Sequence, residues 1–216
     1  MLFDLDGTLL DTALDMGAAL NELLVQLGLA PLPQSSIRPH VSHGSAGLIR
    51  LAFGVRAQAE ADALAARFLA LYAKRLAVET CLFPEMPEVL DELERRGVHW
   101  GIVTNKPAWL TDPLVSSLGL AQRARVVVSG DTLAQRKPSA MPLLHAAERM
   151  QVRPAECIYV GDAERDMQAA NAAGMFALGA RFGYIASTDA TERWPAQGWI
   201  DSPVDLLEWL PRLNGR

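Results

Sequence analysis

The sequence is poor in cysteine, in lysine and in long apolar runs. Its 216 residues include two cysteines, Cys81 and Cys157, which form no CxxC pair and have no metal-ligand spacing, so we expect reduced thiols and a cytoplasmic protein. No apolar stretch approaches the length of a membrane span. The formal net charge is −5 and the sequence has no cluster of Lys and Arg, which argues against nucleic acid or an anionic membrane as a partner.

The composition is that of a folded protein. Half of the residues are hydrophobic, and the length favours one or two domains with a core that needs no disulfide or structural metal. Asp4 and Asp6 stand where a secretory leader would have basic and then apolar residues. We therefore expect no signal peptide.

Two carboxylates follow the first apolar segment of the chain. Residues 1–3 and Leu5 are typical of a short buried strand, which ends on Asp4 and Asp6 and is broken by Gly7. At the carboxyl edge of a parallel sheet, such a turn is where ligands bind. Paired carboxylates repel unless a cation or a shared proton lies between them, and they suit a nucleophile, a general acid or base, and Mg²⁺. A plain Asp-Gly turn at a strand end is the structural alternative.

The predicted secondary structure falls into two blocks. The first block contains only helices, predicted at residues 12–27, 45–53 and 57–76. In the second block strands alternate with helices, and the predicted strands are residues 98–103, 125–129, 157–160 and 176–179. Such alternation indicates a parallel sheet with helices on both faces. We therefore expect an α/β fold, with a Rossmann-like parallel-sheet core of residues 1–11 and 81–216 and an inserted all-helical cap domain of residues 12–80.

Two further polar segments are candidates for binding phosphate: a Thr-Asn pair after a later predicted strand, and two lysines that each precede a proline. Thr104 and Asn105 follow the strand at residues 98–103, and a hydroxyl with free backbone N–H groups at such a turn can bind phosphate oxygens. Only three of the 20 Lys and Arg residues are lysines, and two of them, Lys106 and Lys137, stand just past strand ends and before a proline. Lysine is a compact point charge suited to a single phosphoryl or carboxylate oxygen. A structural Thr-Asn turn and a solvated lysine are the alternatives.

A second pair of carboxylates follows the strand at residues 157–160. Gly161 permits a sharp turn into a helix, Asp162 stands at the helix start, and Asp166 follows one turn later. Residues four apart share a helix face, so both carboxylates can reach the sheet edge and complete an oxygen-ligand metal site with Asp4. Helix capping alone would explain Asp162 but not the pair.

Taken in order, these motifs resemble the signatures of the haloacid dehalogenase superfamily of phosphohydrolases, over nearly the whole chain. They are D-x-D-G-T-L-x-D at residues 4–11, T-N at 104–105, K-P at 137–138 and G-D-x-x-x-D at 161–166. Residues 12–80 are similar to the α-helical cap of that superfamily. Within it the chain is most similar to phosphoglycolate phosphatase-like enzymes. Three stretches are also similar to N-acetylmuramic acid 6-phosphate phosphatases: residues 100–107, 183–185 and 193–194.

The resemblance implies a Mg²⁺-dependent phosphatase that acts on a small phosphorylated metabolite through an aspartyl-phosphate. Asp4 would be the nucleophile, and Asp6 the general acid and base. Mg²⁺ would be held by Asp4, by Asp162, by the Asp6 carbonyl and, directly or through water, by Asp166. The phosphoryl oxygens would be held by Thr104, the Asn105 backbone and Lys137.

Discrimination among substrates would come from the cap. Residues 42–45 are the predicted loop that reaches the site, with His43, Arg38 and Arg50 as candidate contacts to an acidic substrate; solvated loop and helix positions are their structural alternatives. A phosphoglycolate-type substrate is the first expectation, and N-acetylmuramic acid 6-phosphate or another sugar phosphate is the alternative. The expected assembly is a monomer or a homodimer.

The residues also bear on three other activities of this fold and on a function of another class, a non-catalytic binding or phosphoacceptor module. The resemblance implies that a dehalogenase would have no use for an acid or base at Asp6, and that a phosphonate hydrolase would need a Schiff-base lysine in residues 13–28, which contain none. A phosphoglucomutase shares the core and differs in the cap, so it stays open. A non-catalytic phosphoacceptor module conflicts with the presence of Asp6, Lys137 and the second carboxylate pair.

Overall fold

The core of the protein is a parallel β-sheet. In the computed structural model, which describes residues 1–54 and 60–213, the strands are β1 (Leu2–Phe3), β2 (Leu10–Asp11), β3 (Cys81–Leu82), β4 (Gly101–Val103), β5 (Val127–Val128), β6 (Ile158–Gly161), β7 (Phe176–Ala180) and β8 (Gly198–Ile200). Six of them form one sheet in the order β5-β4-β1-β6-β7-β8, and every neighbouring pair is parallel. The predicted parallel α/β core is confirmed.

Helices cover both faces of this sheet. The α-helices are α1 (Ala13–Gln26), α2 (Gln34–Ile37), α3 (Gly44–Phe53), α4 (Ala61–Ala73), α5 (Met86–Arg95), α6 (Ala108–Ser117), α7 (Met141–Met150) and α8 (Glu164–Ala172). Leu2 and Tyr159 point to the face covered by α7 and α8, whereas Phe3 and Val160 point to the face covered by α5 and α6. Successive strand side chains alternate between faces, so strands buried on both faces must be apolar throughout.

The first strand occupies the middle of the sheet. From β1 the chain builds β4 and β5 on one side, and then returns to build β6, β7 and β8 on the other side. In sheets of this kind, ligands bind outside the carboxyl ends of the strands at the point where the strand order reverses. The residues that follow β1, β4 and β6 therefore meet at one edge.

The described residues between β2 and β3 form a helical insertion that contains α1, α2, α3 and α4. Within its described residues, α1 packs against α4 and α3 packs against α4, and the apolar contacts include the fully buried Leu20, Leu23 and Phe68. β2 and β3 form an antiparallel pair, in which Asp11 lies opposite Cys81. The insertion thus leaves the core and returns to it at neighbouring residues.

A buried carboxylate joins the two ends of the insertion. Asp15, in the first turn of α1, is fully buried, and its Oδ2 accepts hydrogen bonds from the backbone N–H groups of Val78 (3.1 Å), Glu79 (2.9 Å) and Thr80 (2.9 Å) and from the Thr80 hydroxyl (2.8 Å). Its Oδ1 lies 3.5 Å from Arg75 Nε. A buried charge is stable only when it is paired and hydrogen-bonded, as here.

Several boundaries differ from the sequence-based expectation. The strand at residues 176–179 was expected to be the last, but β8 adds a sixth strand to the sheet edge, and β2 and β3 were not expected at all. Strands of two or three residues are too short to display a period of two. The short helix α2 lies between the helices expected at residues 12–27 and 45–53, where no helix was predicted. The expected helix at residues 57–76 is observed as Ala61–Ala73, and its first three predicted residues are outside the described part.

In the part of the chain that the structure describes, none of the helices has the length and apolar character needed to span a membrane.

Candidate active site

The polar strand ends meet around a cavity of about 580 Å³ between the sheet edge and the helical insertion. Core side chains that line it include Asp4, Asp6, Thr104, Lys106, Lys137 and Arg165. The insertion contributes Met16, His43, Leu69 and Tyr72, among others. The cavity therefore combines acidic and basic groups on the core side with apolar and polar groups on the insertion side.

Gly7 makes the turn after β1 possible. Its φ of 85° lies in the left-handed region, and a Cβ atom there would overlap the Asp162 carboxylate. The turn is closed by a hydrogen bond from Gly7 N to Leu10 O (3.0 Å). The turn therefore lies directly against Asp162, the residue that follows β6.

Lys137 is the cation at the centre of the site. Its side chain is fully buried, and Nζ lies 2.8 Å from Asp4 Oδ1 and 2.8 Å from Asp166 Oδ1. Nζ also donates a hydrogen bond to the Tyr159 hydroxyl (2.7 Å), which in turn donates to the Val103 carbonyl (2.8 Å). The ammonium thus occupies a fixed position against the predicted nucleophile.

Asp162 begins the loop after β6 and is held by both the insertion and the core. Its Oδ2 accepts hydrogen bonds from the Ser42 hydroxyl (2.6 Å) and from Tyr184 N (2.9 Å). Burial, followed by the charges of Asp4 and Asp166, raises the pKa of Asp162 to about 7. The carboxylates in this cluster destabilise one another's charged forms, so the cluster favours an additional cation.

The donor set fits a hard divalent cation. Asp4, Asp162 and Asp166 are buried, and each offers a carboxylate oxygen within 4.8 Å of the others. Among the described residues, Asp166 Oδ1 accepts no hydrogen bond, although Lys137 Nζ lies within ion-pair distance of it. All-oxygen carboxylate sets are typical ligands of Mg²⁺. Three of the four residues predicted to bind metal are therefore brought together through their carboxylates.

The Thr-Asn turn after β4 reaches the same edge. Thr104 is buried, and its hydroxyl accepts a hydrogen bond from Lys106 N (3.1 Å). The Asn105 side chain holds the backbone of Lys137, because its Nδ2 donates to Lys137 O (2.9 Å) and its Oδ1 accepts from Lys137 N (3.0 Å). Sequence reasoning used only the Asn105 backbone. The structure adds that the amide side chain fixes the loop which carries the central lysine.

Asp6 lies two residues beyond Asp4 and has different partners. Lys106 Nζ donates a hydrogen bond to Asp6 Oδ1 (2.8 Å), and its second acceptor is the hydroxyl of Tyr72 on α4 (2.9 Å). The Asp6 carboxylate is not part of the described cluster of Asp4, Asp162 and Asp166, and the predicted metal contact of Asp6 is through its backbone carbonyl. The Asp6–Lys106–Tyr72 contacts were not predicted.

Residues 42–45, predicted as a loop, are instead the end of a 3₁₀ helix (Arg38–His43) and the first residues of α3, and all four line the cavity. The Ser42 hydroxyl donates a hydrogen bond to Asp162, and the Ser42 carbonyl accepts one from Arg165 Nη2 (2.7 Å). The guanidinium of Arg165 also lies 4.0 Å from Asp4 Oδ2. His43 lines the cavity, and partial burial, followed by the charge of Arg165, lowers its pKa. Arg165 was missed, although it stands inside the G-D-x-x-x-D motif.

Two arginines of the insertion do not line the cavity. Arg38 forms a two-pronged ion pair with Asp11 at 2.9 Å and lies over the Tyr184 ring, 4.9 Å from its centroid. Arg50 is exposed on α3 and is not among the cavity residues. Arg136, which sequence reasoning did not single out, does line the cavity, and within the described residues it has no ion pair or side-chain hydrogen bond.

Comparison with known proteins agrees with this geometry. A model of the haloacid dehalogenase-like hydrolase family matches residues 1–180. The chain is 44% identical to the phosphoglycolate phosphatase of Xanthomonas campestris pv. campestris over 208 residues, which cover 96% of this chain and 94% of that protein. It is 36% identical to the N-acetylmuramic acid 6-phosphate phosphatase of Pseudomonas aeruginosa over 213 residues, or 98% and 94% of the two chains.

The solved structures give the same answer for the fold. A predicted phosphoglycolate phosphatase from Haemophilus somnus 129PT superposes with a TM-score of 0.82 at 25% identity, and the match covers 97% of this chain and 96% of that one. The chain therefore belongs to the haloacid dehalogenase-like hydrolase family, and it is a phosphatase of that family.

Proposed function

We propose that the enzyme hydrolyses a small phosphomonoester through an aspartyl-phosphate formed on Asp4. One observation carries the proposal: the buried Asp4 carboxylate lies 2.8 Å from Lys137 Nζ and within 4.8 Å of Asp162 and Asp166. A carboxylate in such surroundings can accept a phosphoryl group because nearby cations balance the negative charge of the phosphate.

The remaining roles follow from position. Asp6 protonates the leaving alcohol and then takes a proton from the water that attacks the aspartyl-phosphate. Thr104, the Asn105 backbone and Lys137 hold the phosphoryl oxygens while their charge changes. The insertion side of the cavity excludes water and contacts the rest of the substrate.

Asp4, Asp162, Asp166 and the Asp6 carbonyl would hold Mg²⁺. Phosphatases of this family generally use a divalent metal, and the all-oxygen donor set supports Mg²⁺ as its identity. When bound, the ion screens the charge between nucleophile and phosphate. Lys137 and Arg165 supply the other positive charges of the site.

We infer a phosphoglycolate-type substrate. Relatives over 40% identical carry that name, and Arg136 at the cavity edge offers a guanidinium for a carboxylate close to the phosphate. N-acetylmuramic acid 6-phosphate is the second candidate, supported by the relatives that are 36% identical. Both compounds bring a phosphate and a carboxylate, but they differ greatly in size.

The organisation we propose matches the sequence-based division. Residues 12–80 act as a cap domain on a core of residues 1–11 and 81–216, in a cytoplasmic monomer or homodimer. The β2–β3 pair at the two ends of the insertion supports this division.

The test of this function is a panel of phosphomonoesters assayed with and without Mg²⁺. We expect phosphate release that requires the added ion, with the highest kcat/KM for phosphoglycolate. A higher kcat/KM for N-acetylmuramic acid 6-phosphate would select the second candidate. No phosphate release from any monoester would contradict the proposed function.

Replacing Arg136 by alanine should alter selectivity. A charge-assisted hydrogen bond to a substrate carboxylate contributes about 1.5–3 kcal/mol, so kcat/KM for phosphoglycolate should fall by about 10-fold or more. Hydrolysis of p-nitrophenyl phosphate, which has no carboxylate, should change by less than about 3-fold. Arg50→Ala is the matched comparison, because Arg50 is exposed and outside the cavity lining. Equal losses of kcat/KM for both substrates in Arg136→Ala would contradict a carboxylate contact at Arg136. A loss of kcat/KM for phosphoglycolate alone in Arg50→Ala would support the sequence-based prediction that Arg50 contacts an acidic substrate.

Magnesium should stabilise the folded enzyme. An ion at about 100 times its Kd adds about 2.7 kcal/mol to the free energy of unfolding, and each kcal/mol raises Tm by about 2–4 °C at this chain length. Asp162→Asn should lose most of this shift, whereas Asp112→Asn, an exposed carboxylate on α6, should keep it. Thermal unfolding with and without Mg²⁺ measures the effect. An identical shift in wild type and Asp162→Asn would place the metal elsewhere.

A further inference from the structure

Lys106 is a buried lysine to which the proposed mechanism gives no role. Its side chain is 4% exposed, and Nζ donates hydrogen bonds to Asp6 Oδ1 (2.8 Å) and to the Tyr72 hydroxyl (2.9 Å). Nζ also lies 4.5 Å from the centroid of the Tyr72 ring. The ammonium is therefore held on two sides by groups from different parts of the chain.

Burying this lysine has an electrostatic cost that its partners offset. Burial alone lowers the pKa of Lys106, but the charge of Asp6 and the contact with Tyr72 raise it above its ordinary value. Burial raises the pKa of Tyr72 to about 12, so its phenol stays neutral near pH 7. Replacing a buried ion pair by apolar residues of similar volume is often neutral or stabilising, so the burial of this charge is weak evidence for a role in stability.

The three groups come from three separate elements. Asp6 lies in the turn after β1, Lys106 in the loop after β4, and Tyr72 near the end of α4 in the helical insertion. The contacts therefore run from the insertion, through the ammonium, to the carboxylate that the proposed mechanism uses as acid and base.

The contact leaves one oxygen of Asp6 available. Lys106 occupies Oδ1, and within the described residues Oδ2 has no hydrogen bond or ion pair. The Asp6 side chain is 17% exposed and lines the cavity. A base must stand within hydrogen-bond reach of the proton it removes, and a misplacement of about 1 Å can lower the rate by about 10²-fold.

We propose that Lys106 and Tyr72 are positioning residues for Asp6: Lys106 fixes Asp6 Oδ1, so that Oδ2 faces the reacting water, and Tyr72 fixes Lys106 from the helical insertion. The proposal rests on the proposed function. It makes the position of the insertion a determinant of the hydrolytic step, because Tyr72 moves with α4.

The step concerned is hydrolysis of the aspartyl-phosphate. The water oxygen forms a bond to phosphorus as the bond between phosphorus and Asp4 breaks, and one water proton passes to Asp6 Oδ2. Inorganic phosphate leaves, Asp4 is restored as a carboxylate, and Asp6 holds the proton that it gives to the next leaving alcohol. No further reactant is needed.

The test separates formation of the phospho-enzyme from its hydrolysis by rapid quench with p-nitrophenyl phosphate and Mg²⁺. The nitrophenolate leaves without a proton, so the first step needs no acid. In Lys106→Met we expect formation within about 3-fold of wild type and hydrolysis slowed by about 10- to 100-fold, so that phospho-enzyme accumulates. Lys74→Met, the same substitution at an exposed lysine next to α4, should leave both steps unchanged.

Tyr72→Phe keeps the ring that stacks on Phe68 (6.2 Å between centroids) and removes only the hydroxyl. We expect a smaller loss, about 3- to 10-fold, in the same step. If Tyr72 acts through Lys106, the double variant should be no slower than Lys106→Met alone. Additive losses would overturn the role of Tyr72, and equal slowing of both steps in Lys106→Met would show a structural role only.

Asp6→Asn distinguishes failure of this inference from failure of the proposed function. Slow hydrolysis in Asp6→Asn together with normal hydrolysis in Lys106→Met and Tyr72→Phe would overturn the positioning role alone. Normal hydrolysis in Asp6→Asn would remove the acid and base role on which the inference rests.

Discussion

Asp4→Asn should reduce kcat for every phosphomonoester by about 10⁴-fold or more. The amide is a poor nucleophile, and the substitution also removes one carboxylate from the cluster that fits Mg²⁺. The fold should survive, because asparagine has nearly the same shape and its carbonyl can still accept the hydrogen bond that Leu5 N donates to Asp4 Oδ1 (2.7 Å). The measurement is steady-state phosphate release with Mg²⁺ present.

Acid quench of the wild type during turnover should trap phosphate bound to protein, and Asp4→Asn should trap none. Circular dichroism and Tm provide the control for folding. If Asp4→Asn kept a tenth of wild-type kcat, or still formed a phospho-enzyme, the nucleophile would have to be another residue.

Lys137→Met should affect both catalysis and stability. The ammonium contacts Asp4 and Asp166 at 2.8 Å, so its loss should remove about 2–4 kcal/mol of transition-state stabilisation and lower kcat by about 30- to 1,000-fold. It also leaves two buried carboxylates without their main counter-charge. Breaking a buried ion pair in this way costs about 3–5 kcal/mol of folding free energy. Steady-state kinetics and denaturant unfolding measure the two effects separately.

Mg²⁺ should recover part of the lost stability in Lys137→Met, because the ion neutralises the same carboxylates, but it should not restore kcat. Lys74→Met again serves as the exposed lysine control. A raised KM with unchanged kcat would mean that Lys137 only attracts the phosphate in the ground state. Wild-type stability would mean that the buried pair contributes little.

The parallel core could be predicted because its signals are local. Apolar strands alternate with amphipathic helices over residues 81–180, and glycines such as Gly97 and Gly174 mark the ends of helices. The short strands β2, β3 and β8 could not be predicted. They exist because neighbouring backbone offers hydrogen-bond partners, and that information is not local to two or three residues.

The same distinction applies to the site. Asp4, Asp162 and Asp166 could be singled out because each stands at a strand end or one turn after it, and the sheet topology brings such ends together. The partnership of Lys106 with Tyr72 joins residues 34 positions apart, in the core and in the insertion. No spacing rule connects them, so only the packing of α4 over the sheet edge reveals the contact.

The antiparallel pairing of β2 with β3 has a consequence for how this protein can change. Asp11 and Cys81 are opposite each other in this pair. The 69 residues between them are therefore a long insertion whose two ends lie side by side in the core. For a flexible connection between two fixed residues, the entropic cost of closure rises by only about 0.6 kcal/mol for each doubling of its length. The hydrogen bond from Thr80 N to Asp15 then joins the end of the insertion to its beginning. We therefore expect that helical segments of other sizes can be exchanged at these two residues, by evolution or by design, while the carboxylates beyond β1 keep their places.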